Sequence, residues 1–392
     1  MKQAALTVSF LALFSAIMLS SALAANSIKI GVLLPLTGRN AAIGQIQKKA
    51  VEMAAAAINS RGGIKGRKIE LVVADTRGNP DGGRAAIRKL IQRNALVIGG
   101  GFSSSATWAT SAIAQQNRIP FVVTSATADK ITEQSWQYVF RLNQPLSEHL
   151  EALASFLSTE ASEIKSVALV HAPSLRSSAA ARRFFKRSAA LGLELVIRER
   201  FETGSDALSQ MLIRLKAKNP DLVYAISDDA NSAAFLVRQS KALKLNPKLF
   251  VGQGNGFVQT GFAAQAGTAS NYMVSTAFWT PFVPHRGAAE FNQKFIDQHE
   301  IPPEHHGAEA YTGIMVIADA LKRARELTPA AVRDALARTN MTTLLGPIKF
   351  VAYNQKSQQN KLPTFLVQWI NAKQEIIWPK EFATHKPVYP AP

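Results

Sequence analysis

The sequence predicts an α/β protein of two lobes, each a mostly parallel sheet flanked by helices. Three observations predict it. Strand-like apolar runs alternate with helix-like segments across short turns, the pattern of parallel sheets with right-handed crossovers. The 392 residues exceed the roughly 250–300 that one core usually organises. The strand–helix rhythm also starts afresh after residue 141.

The elements follow in order. SIKIGVLLPL reads as a buried strand ending at Pro35, Thr37-Gly38 turns the chain, and Gly44 to Ile58 is a helix closed by Asn59 and Gly62-Gly63. Lys68 to Ala74 is a strand, Gly78-Asn79-Pro80-Asp81 a turn, and Gly82 to Gln92 a helix. Strand Ala95 to Ile98, helix Ser104 to Gln116 and strand Ile119 to Val123 complete the first set. Beyond Tyr138-Val139-Phe140-Arg141 the strands are Ser166–His171, Glu194–Ile197, Leu222–Ile226 and Leu249–Gly252. Helices Ser177–Leu191, Ala207–Lys216 and Ala230–Leu243 lie between them. Met273–Ala277 is a further strand, followed by helices Ala288–His299 and Gly307–Glu326 and by strand-like Leu345–Phe350 and Phe365–Trp369. Only the element order recurs between the halves; no sequence repeat does.

Residues 1–24 read as a secretory signal: Lys2, an apolar run from Ala4 to Leu19, and the small-x-small site Ala22-Leu23-Ala24. That signal makes export to a bacterial periplasm the expectation, and since no later window offers about 18 unbroken apolar residues the exported protein is expected to be soluble. The chain has no cysteine, which removes disulfides and thiolate metal sites. Cleavage after Ala24 would lower the net charge from +18 to +17. The basic residues are scattered over helix-like segments, as at Arg182/Arg183/Lys186/Arg187, with no aromatic-interleaved stripe, so nucleic acid is not an expected partner.

One stretch points to function. Gly99-Gly100-Gly101-Phe102-Ser103-Ser104-Ser105 stands at the carboxyl end of a strand and at the start of a helix. Ligands of parallel sheets bind beyond such ends. A helix N-terminus with bare backbone and hydroxyls suits an anion such as a carboxylate. Ser103 or Ser104 could instead simply cap the helix. The next strand end, Thr124-Ser125-Ala126-Thr127, carries small hydroxyl residues again, and the two ends together make a polar niche for one carboxylate.

These segments carry a resemblance. IGVLLPLTG, AINSRGGIKGRKIELVVAD, GGGFSSSATWA, IPFVVTSATADKIT, YVFRLNQP, EAYTGIMVIADAL and LLGPIKF follow the order and spacing of the periplasmic leucine/isoleucine/valine-binding protein family. The likeness spans the chain after residue 24, close in the first part and in outline in the second. It implies the type I periplasmic-binding-protein fold: two α/β lobes joined by a three-crossover hinge, closing on a small ligand for an inner-membrane ABC permease. It implies crossings near Arg141–Asn143, Val274–Thr276 and Phe350–Tyr353, hence 25–142 and 275–351 as lobe 1 and 143–274 and 352–392 as lobe 2. It further implies that Ser103 holds the ligand carboxylate, that the backbone at Ser125 meets the ligand, and that Thr127 contacts carboxylate and ammonium. Ile43 matches a place where some members have a large aromatic beside the ligand side chain. His306 falls near the cleft rim, and Phe278 or Trp279 near the second crossing.

The second lobe departs from the family. Where a tyrosine should close over the ligand stand Ser227-Asp228-Asp229, and the acidic residue that should pair with the ligand ammonium falls at Gly254 or Asn255. A buried ammonium without a carboxylate partner is costly. Either Asp228 or Asp229 supplies the charge, or the ligand lacks an amino group; capping the helix that begins at Ala230 is an equal alternative for the pair. The expected cargo is a branched-chain or other neutral amino acid, the alternative an aromatic or short-chain carboxylate or amide. No catalysis, cofactor or metal is expected, and the protein should be a monomer. In Pro303–Glu309, with two histidines and two acids, His306 and Glu309 could share a helix face, but the stretch reads as a solvated turn. An exported hydrolase is the reading from another class; it needs a nucleophile or metal site that the sequence does not assemble.

Overall fold

The computed structural model describes residues 27–202 and 206–392; the expected leader at 1–24 lies outside them. The first unit runs to Asn143 and takes in His306–Met341 and Pro347–Lys361. Its sheet has the order β13-β14-β5-β4-β3-β1-β2, from β1 (Ile28–Leu34), β2 (Ile69–Asp75), β3 (Val97–Gly100), β4 (Phe121–Val123), β5 (Val139–Arg141), β13 (Phe350–Tyr353) and β14 (Lys356–Asn360). All neighbours are parallel except β13 and β14. Helices α1 (Ala41–Asn59), α2 (Pro80–Gln92) and α3 (Ser104–Gln116) connect the first four strands. The turn expected at Gly78–Asp81 is in fact the start of α2: Gly82 N–H donates to the Asn79 side chain at 2.8 Å and Pro80 takes the first helical position. Leu33, Ile87, Leu90, Ile98, Phe121 and Ile131 share one core.

The second unit comprises Gln144–His305, Thr342–Gly346 and Leu362–Pro392. Its sheet is ordered β16-β15-β10-β9-β8-β6-β7, with β6 (Ser166–His171), β7 (Glu194–Arg200), β8 (Leu222–Ile226), β9 (Leu249–Gln253), β10 (Val274–Ala277), β15 (Phe365–Ile370) and β16 (Lys373–Trp378). Helices α4 (Leu146–Glu160), α5 (Leu175–Ser188), α6 (Asp206–Lys218), α7 (Ala230–Ala242), α8 (Thr260–Ala266) and α9 (Ala288–His299) flank it. Successive residues of β6 feed two cores, Ala168 and Val170 on one face and Val167 and Leu169 on the other. That is the signature of a sheet covered on both sides. Helices α10 (Glu304–Arg323) and α11 (Pro329–Ala337) follow, and the hairpin β11 (Met341–Thr343) with β12 (Gly346–Ile348) is a third small sheet.

The lobe boundaries expected from the sequence need correction at two crossings. Residues 275–305 stay with the second unit. Val274 and Ser275 are fully buried and pair in parallel with Val251 and Gly252, so β10 is an inner strand of the second sheet. Trp279 then packs edge-on against Phe291 of α9, 6.1 Å between ring centres, which keeps the following helix with that sheet. The last crossing falls after Lys361, not near Val351. The strand KSQQN is polar yet buried, because Gln359 accepts from Arg141 Nε (2.5 Å) and donates to the Asn143 carbonyl (2.9 Å).

Candidate functional site

In the first unit the bare backbone of the glycine run has a definite use. Gly100 has φ +105°, and a Cβ there would lie 2.4 Å from the Leu33 carbonyl oxygen. Only glycine allows this close turn out of β3. The turn is stitched to the next strand end: Thr124 N–H donates to the Gly100 carbonyl (2.9 Å), and Ser125 and Ala126 N–H both donate to the Gly101 carbonyl (3.2 and 3.1 Å). The two hydroxyl-bearing ends of β3 and β4 therefore form one rim.

Ser103 occupies the N-cap position of α3, but its side chain makes no capping hydrogen bond; its Oγ lies 3.2 Å from Ser105 Oγ. Ser104 is engaged elsewhere, its Oγ accepting from Ala128 N–H at 3.2 Å. The capping role open to these two serines is thus taken by neither side chain. Thr127 is half-buried and Ala126 wholly buried.

Ser125 is the centre of a buried network. Its hydroxyl donates to Glu309 Oε2 at 2.5 Å and accepts from Gln47 Nε2 at 3.0 Å. Gln47 is on α1, one turn after half-buried Ile43. Glu309 is on α10, one turn after His306, whose Nδ1 is 3.6 Å from the same carboxylate oxygen, beyond hydrogen-bond reach. The His306 ring meets Phe102 edge-on, 5.1 Å between centres. Glu309 is 1% exposed and His306 4%. Hence 303–309 is not the solvated turn expected from sequence: from Glu304 it is helix, and these two side chains are buried. Among the described residues no cluster of three or more histidine or acidic side chains is arranged to hold a metal ion.

In the second unit the strand-end residues take local roles. Asp229 caps α7, its Oδ1 accepting from Ser232 N–H at 2.8 Å. Asp228 Oδ2 accepts from Ser174 Oγ (2.9 Å) and Ser177 Oγ (3.3 Å) at the start of α5. Asn255 is buried in the turn after β9, where Gly254 has φ +102°. Trp279 is core, its indole N–H donating to the Leu344 carbonyl at 3.0 Å. Phe278 stacks edge-on with His149, 4.4 Å between centres.

Sequence reasoning missed Gln47, Glu309 and Phe102 as parts of the rim. The helix-face relation of His306 and Glu309 was legible, but the Ser125–Glu309 bond joins residues 184 positions apart, which no local pattern reveals.

The chain belongs to the periplasmic binding protein family, which it matches over residues 27–374. That family binds solutes and is not an enzyme family. Among curated relatives, the Leu/Ile/Val-binding protein homolog 7 of Brucella melitensis is 26% identical over 388 residues, covering 93% of this chain and 94% of that protein. The branched-chain amino acid transporter substrate-binding protein LivJ of Streptococcus pneumoniae, solved with isoleucine, superposes with a TM-score of 0.77 at 24% identity over 90% of this chain and 100% of that one. A solute-binding protein of an ABC transporter from R. palustris, solved with benzoate, gives a TM-score of 0.74 at 22% identity over 90% and 95%. Likeness at such identities establishes the fold.

Proposed function

From this membership we infer that the protein is the solute-capturing component of an ABC importer and that its cargo is a small carboxylate, a branched-chain or other neutral amino acid. The observation that carries the reading is the paired rim of β3 and β4. Ser103 stands at the start of α3 without capping it, and a hydroxyl beside a helix N-terminus favours an anion through N–H donors and the helix dipole. Isoleucine and benzoate, the molecules in the two solved relatives, share a carboxylate and little else. The work of such a protein is binding without turnover; the periplasm is its place, reached after removal of residues 1–24, and it acts as a monomer.

A second reading, an amine-free carboxylate, draws support from the second unit, where Asp228 and Asp229 are both engaged by neighbouring serines. Titration calorimetry on protein refolded free of ligand tests the shared premise. Leucine, isoleucine, valine, benzoate and 4-methylpentanoate form the panel, and at least one should bind and raise the melting temperature. A ligand at about 100 times its Kd adds roughly 2.7 kcal/mol. Ser103→Ala should weaken that ligand by on the order of 10-fold to 100-fold, the worth of a hydrogen bond to a charged group. Full affinity in Ser103→Ala would remove the rim from the site.

A further inference from the structure

We propose that Glu309, assisted by Gln47, supplies the counter-charge for a ligand ammonium, so that the first unit holds both charged ends of an α-amino acid. The inference rests on the reading of the β3–β4 rim as the carboxylate grip and adds the group that sets selectivity.

The hydrogen-bond logic of the network fixes its polarity. An ionised carboxylate only accepts, so the single Ser125 hydroxyl proton is committed to Glu309. Ser125 then can only accept from Gln47, which must present its amide N–H₂. This orients the Gln47 carbonyl oxygen away from Ser125. That oxygen is buried, in a side chain with no exposure, and has no hydrogen-bond partner among the described residues. Buried acceptors left without a donor are rare and call for an explanation. An ammonium brings three donors and no acceptor. The Glu309 carboxylate and the Gln47 amide, both bonded to one serine, supply acceptors that suit it and offer nothing to a carboxylate or an ether.

Electrostatics leads to the same place. Glu309 is 1% exposed, and a buried carboxylate is costly unless charge and hydrogen bonds compensate it. A ligand ammonium provides a full positive charge at that point. Ser125 belongs to the same stitched rim as the Ser103 turn, and the carboxylate and ammonium of an α-amino acid sit on one carbon, so adjacent subsites suit both. The acids of the second unit accept from serine hydroxyls and a backbone N–H at the starts of their neighbouring helices.

The test pairs each amino acid with its deaminated analogue: leucine with 4-methylpentanoate, valine with 3-methylbutanoate, phenylalanine with 3-phenylpropanoate. Affinities are measured for wild type, Glu309→Gln, Gln47→Leu and Asp228→Asn, with melting temperatures of the unliganded proteins as the check on folding. Glu309→Gln keeps an acceptor for Ser125 and removes the charge. Wild type should prefer the amine-bearing member of at least one pair. Glu309→Gln should weaken that member by on the order of 100-fold and leave the analogue unchanged, Gln47→Leu should weaken it by about 10-fold, and Asp228→Asn should stay within about 3-fold. Should Glu309→Gln fail to fold, Gln47→Leu reads the same discrimination. Preference for the amine retained in both variants, or lost in Asp228→Asn, overturns the assignment while leaving carboxylate capture standing. Wild type binding the analogues as tightly as the amino acids overturns it too. Binding of neither class removes the rim reading and this inference with it.

Discussion

The two units solve one geometric problem alike and then diverge. Each winds its first five strands in the same order, β2-β1-β3-β4-β5 in one and β7-β6-β8-β9-β10 in the other. Each also leaves a strand end through a glycine that nothing else could replace. Gly100 (φ +105°) packs against the Leu33 carbonyl and Gly254 (φ +102°) against the Ser227 carbonyl, each 2.4 Å from where a Cβ would be. Past those glycines the side chains differ. In the first unit Gln47, Ser125 and Glu309 come from three distant segments and converge on one another. In the second, Asp228 and Asp229 satisfy donors of the helices beside them. A shared backbone device thus leaves the chemistry of each rim free to change: the fold secures the approach, and a few side chains decide what is met there.

The comparison breaks most visibly at the glycines. Gly100→Ala and Gly254→Ala should each cost about 3 kcal/mol or more, through positive φ and a clash with backbone. Gly62→Ala, with φ +88° but nothing within 4 Å of its Cβ, should cost only about 1 kcal/mol. Denaturant midpoints measure all three, and equal losses would refute the role of close packing. Next comes Glu304, at the start of α10. Glu304 has a carboxyl oxygen, Oε2, without a hydrogen-bond partner among the described residues, and burial pushes its pKa from 4.5 up to about 7. A raised folded pKa penalises the ionised form, a cost that begins as pH rises above 4.5 and is complete above about 7. Glu304→Gln should therefore stabilise by about 2–3 kcal/mol at pH 8 and not at pH 4, seen as a melting-temperature gain at the higher pH only.

Asp221, at the start of β8, shows the opposite sign. Burial alone would raise its pKa, but Lys248 at 2.8 Å and the N–H groups of Lys165 (3.0 Å) and Ser166 (3.1 Å) bring it from 3.8 down to about 2. Its contribution is present above pH 3.8 and lost as pH falls toward 2. Asp221→Asn should cost about 2 kcal/mol at pH 7 and little near pH 2; a loss independent of pH in acid-unfolding curves would contradict this. The smallest effect is Asp229→Ala, about 1 kcal/mol for a lost helix cap. Its leucine affinity should stay within about 3-fold of wild type, and a larger drop by calorimetry would erase the asymmetry between the rims.

Much of this was legible in the sequence, for identifiable reasons. Apolar strands such as IGVLL and LVYAI, and the hydroxyl-rich ends after Ile98 and Val123, are local patterns. The polar strand Lys356–Asn360 was not legible, since its burial depends on Arg141, fully buried and bonded to Gln359, Thr132 and the Ala128 carbonyl. Nor was the length of the excursion through residues 275–305, because a strand as short as Val274–Ala277 fits either sheet until its neighbours are known. Asp228 and Asp229 were open between ligand and cap; their donors, Ser174, Ser177 and Ser232 N–H, settled what they touch.

The sequence by itself determined the α/β class, the two-lobed plan, the family and the polar character of the β3–β4 rim. The class and the rim are written in spacing, periodicity or residue type within a few turns of chain. The two-lobed plan is written in chain length and a repeated element order, and the family in the order of motifs along it. Only the tertiary structure decided that Glu309 lies against Ser125, that Gln47 completes the trio, and where the chain passes from unit to unit. Those facts depend on which buried polar group finds which donor, and across 184 residues only the folded chain brings the partners together.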